Sequence, residues 1–347
     1  MLNAINVNMK IPHDDSKVGT RNKRGDWVPN AKAPITPLFW FPFKPLKFLK
    51  NLFAWNGFFL NFYHLLWGGM AVFCWFFLTP SVETLKTFQL DWIAFLTIRN
   101  TIIILVYVSF YHYHFYVKKS QGNSFKYNAR FLDQNNPKFW FKNQTKDNLL
   151  YVFLSAVPIW TAYEVITLWL YANQFIPWMT WDTYPIIIVI MFLLVPTWRS
   201  FHFYLTHRLL HWRPLYRIAH EVHHRNSNPG PWSGLAMHPI EHLLYYTCVM
   251  IHWIIPSHPA VAMWNLFHAS LSPHAGHGGY DRIVLKNGKW MVTGSYAHYL
   301  HHKYFECNYA GDDLNILDKM FGTFHNGGDE ATEAVMQRLK KKTYITS

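Results

Sequence analysis

The chain predicts an all-α, polytopic membrane protein with about four transmembrane helices, a re-entrant helical hairpin and a cytoplasmic, helical, histidine-rich metal cap. Three observations carry this expectation. Of 347 residues, 51% are hydrophobic, 19% aromatic and only 15% charged, against roughly 25% charged in an ordinary soluble protein. Several long stretches contain no Asp, Glu, Lys or Arg. Seventeen of the 21 histidines fall between His202 and His325, most of them in spaced clusters.

Residues 1–50 read as a polar cytoplasmic tail that closes in a Pro-rich, basic approach (Pro34, Pro37, Pro42, Pro45, with Lys44, Lys47 and Lys50). No early apolar run marks a signal peptide. The transmembrane portion is predicted over 51–200. Its first span, 51–82, is uncharged and exceeds the ~20 residues that cross a bilayer core. Further spans are expected at 92–116, 149–177 and 183–198, the last continuing helically into 201–210. Glu164 interrupts the third. A carboxylate at such a depth is a functional candidate by default, with an interior structural contact as the alternative.

Loop charges set the orientation. The approach to the first span is basic, the next link holds Glu83 and Asp91 against one Lys, and the third loop carries Lys118, Lys119, Lys126, Arg130, Lys138, Lys142 and Lys146. The fourth has only Asp182, and the fifth opens on Arg199, Arg208, Arg213, Arg217 and Arg225. Alternation of this kind follows the positive-inside rule and puts every histidine cluster on the cytoplasmic side of an integral membrane. Residues 242–280 are again uncharged but broken by Pro256-Ser-His-Pro259, so they are expected to enter the membrane and return. A basic tail, 326–347, includes Lys340, Lys341 and Lys342.

The net charge of +13 fits attraction to anionic headgroups. No basic helix or RNA-binding motif accompanies it, so no nucleic-acid partner is expected. Cys74, Cys248 and Cys307 are odd in number and far apart, which excludes a disulfide framework or a Cys-based zinc site.

The chemistry lies in the histidine-rich catalytic domain, 201–325. His207 and His211 are four apart. His220, His223 and His224, and again His298, His301 and His302, follow an i, i+3, i+4 spacing. On helices such residues share a face, so each cluster is expected to aim its imidazoles at one point. Eight imidazoles exceed a tetrahedral zinc shell and suit two metal ions; imidazole accepts iron well. A histidine-rich membrane metal transporter or sensor is the alternative reading. It would place its ligands near the bilayer midplane, whereas these clusters flank Arg-rich segments. A zinc hydrolase would leave most of the histidines unexplained.

These residues resemble the sterol desaturase and fatty acid hydroxylase superfamily of membrane-bound di-iron oxygenases. The similarity runs over about 195–325: His207-Arg-Leu-Leu-His211, His220-Glu-Val-His223-His224, His238-Pro-Ile-Glu241, His277-Gly-Gly-Tyr-Asp281 and His298-Tyr-Leu-His301-His302, then Asn308-Tyr309-Ala310 and Asp318-Lys-Met-Phe-Gly322-Thr323. It is closer to the sterol-modifying branch, which includes C-4 methylsterol oxidases, than to acyl-CoA desaturases. The resemblance implies two non-haem Fe ions, O2 as cosubstrate, and hydroxylation or desaturation of an unactivated C–H position of a sterol or fatty acyl lipid. It adds His238 and His277 to the eight ligands, with His274 as an optional eleventh.

Glu241 and Asp281 are expected to orient imidazoles by accepting their second N–H; a salt bridge to a nearby Arg is the alternative. His202, His242, His252, His258 and His268 are read as packing or interface residues, as are His64, His112 and His114. Trp232, Trp253 and Trp264 are candidates to line a lipid channel, or else to pack. No haem, dinucleotide or iron–sulfur motif is present, so an external electron donor is implied, a b-type cytochrome, ferredoxin or similar carrier with its reductase. The membrane would be the endoplasmic reticulum in a eukaryote or the inner membrane in a bacterium.

Overall fold

The computed structural model describes residues 15–30, 42–53, 59, 61–285, 289–311 and 315–344. Residues 1–14, Pro34, Pro37 and Trp55 lie outside it. The chain is mostly helical. Three helices are long and apolar enough to cross a membrane: Leu90–Val117, Gln144–Ala172 and Pro185–Leu210. The expected first span is shorter. Its helix, α1 (Phe62–Phe77), begins where the Asn61 side chain accepts a hydrogen bond from the Tyr63 N–H. That cap fixes the helix start and leaves ~24 Å of helix against a bilayer core of ~30 Å. The three long helices are labelled α2, α3 and α4 in chain order.

Pro185–Leu210 is continuous, as expected. It carries Pro196 in its interior, which withholds one N–H from the helical ladder. The Phe192 carbonyl, four residues earlier, instead accepts from the Trp264 indole N–H at 3.0 Å. Arg99 and Glu164 settle the question raised by the charged span. They form a buried ion pair between α2 and α3, and Asn100 donates to the second carboxylate oxygen of Glu164 at 3.0 Å. The contact is structural.

The uncharged stretch runs through α5 (Pro239–Tyr246), a 3-10 turn, a short helix Ile251–Ile254 and α6 (Pro259–Gly276). Every residue of α6 from Pro259 to Leu271 is buried, and it packs against α1, α2, α3 and α4. Among the described residues α6 is thus the central helix, enclosed by other helices. Burying Trp264 and Phe267 there contributes ~1.5–3 kcal/mol each.

Two small hairpins complete the fold. β1 (Gly19–Arg21) pairs with β2 (Trp27–Pro29), and β3 (Arg282–Val284) with β4 (Trp290–Val292). The first corrects the expectation of a polar tail. Trp27 is fully buried against Phe125 and Tyr127, and its N–H donates to the Tyr127 carbonyl. The C-terminal tail is likewise helical, α8 (Asp329–Tyr344), anchored through buried Val335; α7 (Tyr296–Tyr304) precedes it. Two cations counted as loop charges are also interior. Arg199 lies within α4, and Lys126 is buried with its ammonium donating to the Asn128 and Arg130 carbonyls.

Candidate metal centre

Four pieces of chain carry the site. The C-terminal end of α4 supplies His207 and, at its cap, His211. A π-helical turn, Tyr216–His220, runs into Glu221–His224 and supplies the second cluster. The end of α6 supplies His277, and α7 supplies the third cluster. The Ser295 side chain caps α7 by accepting from the His298 N–H at 2.9 Å. The His-Gly-Gly-Tyr-Asp stretch turns sharply after α6 because Gly279 has φ +78° and a Cβ there would strike Tyr116. The turn seats Tyr280 on Phe115, ring centroids 4.3 Å apart.

Nine histidines converge in two adjacent groups. His207, His211, His220, His224 and His301 form one; His223, His277, His298 and His302 form the other. This corrects the expectation that each cluster aims at one point. Each His-x-x-His-His motif divides: its first and last imidazoles enter one group, its middle one the other. The His220 motif gives two to the first group and the His298 motif gives two to the second.

The Nε2 atoms face one another. In the first group, His211 to His220, His211 to His224, His220 to His224 and His224 to His301 are each 3.1 Å. In the second, His277 stands 3.0 Å from His302, 3.1 Å from His298 and 3.3 Å from His223. Ligand nitrogens at right angles and ~2.1–2.2 Å from a common ion would be ~3 Å apart. The opposite ring nitrogens define which atom is free. His207 Nδ1 donates to the Tyr309 carbonyl (2.8 Å), His301 Nδ1 to Cys307 (2.6 Å) and His277 Nδ1 to Pro273 (2.7 Å). His220 Nδ1 donates to Glu241 Oε1 (2.8 Å). With the proton at Nδ1, each Nε2 offers a lone pair inward. Converging lone pairs repel unless a cation lies among them, so the residues fit metal ions.

Burial favours this neutral state. It pushes His220, His223, His224, His298, His301 and His302 well below the usual imidazole range, with neighbouring imidazoles adding to the effect for each. His277 is pushed down to about 3 by burial. Burial drives the Glu241 carboxyl well above its ordinary range; a cation on His220 would act in the opposite sense.

The remaining candidates are placed elsewhere. Neither His238 nor His274 joins a group. His238 is half-buried at the N-cap of α5, where its Nδ1 accepts from the Ile240 N–H. The His274 Nδ1 donates to the Pro231 carbonyl at 2.8 Å. Glu241 contacts His220, whereas the Asp281 carboxylate pairs with Arg282 at 2.6 Å and accepts from the Tyr127 hydroxyl at 3.3 Å. One contributor had no role assigned from sequence. Buried Asp318 accepts from the Tyr309 and Ala310 N–H groups, both at 2.9 Å, and from the Thr323 hydroxyl at 2.6 Å. It clamps the loop whose carbonyls orient His207 and His301. Its presence in the matched stretch was the available signal.

A cavity of about 220 Å³ opens on both groups, lined by His207 and His220 from one and His223, His277 and His298 from the other. Trp67 lines it; Trp232, Trp253 and Trp264 do not. The last two are held by their indole N–H groups, to Thr167 and to Phe192.

A fatty acid hydroxylase family model matches residues 189–323. Among characterised proteins, the chain is similar to a Delta(7)-sterol 5(6)-desaturase of Gibberella zeae, 30% identical over 132 residues, covering 35% of this chain and 37% of that one. It is 31% identical over 145 residues to methylsterol monooxygenase 1 of Rattus norvegicus, covering 41% and 47%. It is 29% identical over 143 residues to lathosterol oxidase of Homo sapiens, covering 40% and 46%. The matched part spans less than half of each relative. No solved structure matches the chain significantly.

Proposed function

We propose that this protein is a membrane-bound, O2-dependent lipid hydroxylase or desaturase, because a fatty acid hydroxylase family model matches residues 189–323 and the chain is similar over that part to sterol desaturases and a methylsterol monooxygenase. The observation that carries the reading is the convergence of nine imidazoles into two adjacent groups open to one cavity. The five-histidine group would hold one iron and the four-histidine group the other. Iron bound there supplies activation of O2, with electrons from an external carrier.

The chain's own residues do the rest. The carbonyls of Tyr309, Cys307 and Pro273 and the Glu241 carboxylate hold His207, His301, His277 and His220 in the required tautomer. Glu241 Oε2, buried without a partner at the cavity wall, can hold a proton there. Burial of eight of the nine imidazoles excludes bulk water. At about 220 Å³ the cavity is smaller than the ~300–1,000 Å³ of most small-molecule sites. It accommodates the reacting segment of a lipid with the remainder directed toward the bilayer. The basic loops support a cytoplasmic location of the site and would offer a surface for an acidic electron carrier.

The test is expression of the full chain in membranes with a cytochrome or ferredoxin reductase system, under labelled O2. The expected result is two irons per chain and an O2-dependent change in lipid profile that His301→Ala abolishes. Zinc alone, with no oxygen consumption, overturns the proposal.

A further inference from the structure

Arg199 and His268 are buried and line the same cavity as the metal-facing histidines; among the described residues Arg199 has no carboxylate partner and His268 no hydrogen-bond partner. Arg199 is 3% exposed and His268 5%. Neither ring nitrogen of His268 has a hydrogen-bond partner, nor does Arg199 Nε. His268 instead sits among the rings of His64, Trp67 and Trp264, with centroids 5.3–5.6 Å away. The guanidinium of Arg199 lies 4.6 Å from the Tyr245 ring, hydrogen-bonds His202 Nδ1 at 3.4 Å and meets the Cys248 and Tyr245 side chains, all of them neutral groups. No carboxylate pairs with it among the described residues.

The contrast with Arg99 is informative. That arginine, equally buried, has Glu164 as its counter-ion. A buried guanidinium without one, beside an imidazole with two unused nitrogens, is costly unless something else enters to satisfy both. The cavity wall is where such a group would arrive.

We infer that Arg199 and His268 form a polar anchor for the oxygen-bearing end of the lipid, remote from the carbon that is oxidised. This rests on the oxygenase reading and names its substrate class. Two helices measure the separation independently. On α4, Arg199 precedes His207 by eight residues, ~12 Å of helix. On α6, His268 precedes His277 by nine, ~13 Å. The substrate therefore carries a hydroxyl or carboxylate on the order of 10 Å from the attacked carbon.

The test is binding to the full chain in nanodiscs, read by tryptophan fluorescence, since Trp67 and Trp264 adjoin His268. Four probes form two pairs: cholesterol with its 3-deoxy analogue, and palmitic acid with hexadecane. At least one oxygen-bearing probe should bind about tenfold more tightly than its counterpart, ~1.4 kcal/mol. Arg199→Gln and His268→Leu should each bring that ratio to near unity while metal content stays unchanged. Selectivity in the cholesterol pair identifies a hydroxyl; selectivity in the palmitic acid pair identifies a carboxylate. The inference is overturned if the wild type binds none of the probes or shows no preference in either pair. A preference that both variants retain overturns it as well. Metal identity and oxygen incorporation, which decide the oxygenase reading, do not enter this ratio.

Discussion

Replacing Asp318 with asparagine separates the two metal-facing groups. The carboxylate accepts hydrogen bonds from Tyr309 N–H, Ala310 N–H and the Thr323 hydroxyl. In the same loop the Tyr309 and Cys307 carbonyls accept from His207 and His301. Both histidines belong to the five-membered group, and neither belongs to the other. Asparagine keeps the volume but turns one acceptor oxygen into a donor facing a donor. A hydrogen bond to a charged acceptor contributes ~1.5–3 kcal/mol. Loss of one should weaken metal binding about 10–100-fold, the usual effect of disturbing groups that orient metal ligands. The assay is iron retention against a graded chelator series, with metal counted per chain. The expected result is release of one iron at a chelator concentration 10–100-fold lower, with the second retained near the wild-type midpoint. Unchanged retention of both would show that Asp318 does not hold the ligands. Parallel loss of both would show that the groups are not separately supported.

Glu241→Gln should weaken metal retention about 10–100-fold by releasing His220, whereas Asp281→Asn should leave it unchanged, because Asp281 pairs with Arg282; chelator titration of the two variants side by side checks this. Glu164→Leu strands a buried guanidinium and should destabilise the protein by about 3–5 kcal/mol, and adding Arg99→Met should recover most of that loss in thermal unfolding measured in detergent. His325, pushed down to about 4 chiefly by burial, accepts from Gly327 N–H and contacts the Thr332 hydroxyl of α8. Its native pKa lies below the unfolded one, so its contribution is complete above ~6.5 and is lost as pH falls toward about 4. Proteolysis of α8 should therefore accelerate over that window, and His325→Gln should flatten the dependence.

Much of the site was legible because helical periodicity is a property of sequence. The spacing of His207 and His211, and of the two His-x-x-His-His motifs, marked eight of the nine side chains that the fold brings together; the ninth, His277, was marked by the resemblance. Their partition was not legible. On their shared face i+4 lies about 40° to one side of residue i and i+3 about 60° to the other, so the motif can feed two adjacent sites, but only the packing of the four chain pieces decides which. Charge was read less well. Arg199 and Lys126 were counted as loop cations, since a sequence shows that a residue is basic but not that it is buried. The uncharged stretch 242–280 was read as a hairpin that enters the membrane and returns. Apolar composition distinguishes neither lipid from protein as the neighbour, and α6 chose protein on all sides.

The enclosure of α6 explains why the metal-facing histidines and the polar anchor occur in one structure. A helix in contact with lipid along one side must confine an imidazole with unused nitrogens at its middle and a metal ligand at its end to its remaining face. Wrapped by four helices, it can hold both. Its carbonyls also need substitute donors, since Pro273 removes the N–H that would bond to Ala269, and the Tyr245 hydroxyl supplies one at 2.7 Å. The same proline presents its own carbonyl to His277 Nδ1. One residue thus tilts the ladder toward α5 and fixes a metal-facing imidazole. Tyr245 meanwhile presents its ring to Arg199. Proline 273 couples the end of the cavity that meets metal to the side chain that supports the anchor, so Pro273→Ala should disturb both metal retention and lipid selectivity. A change confined to either one would mean that the two ends of α6 act independently.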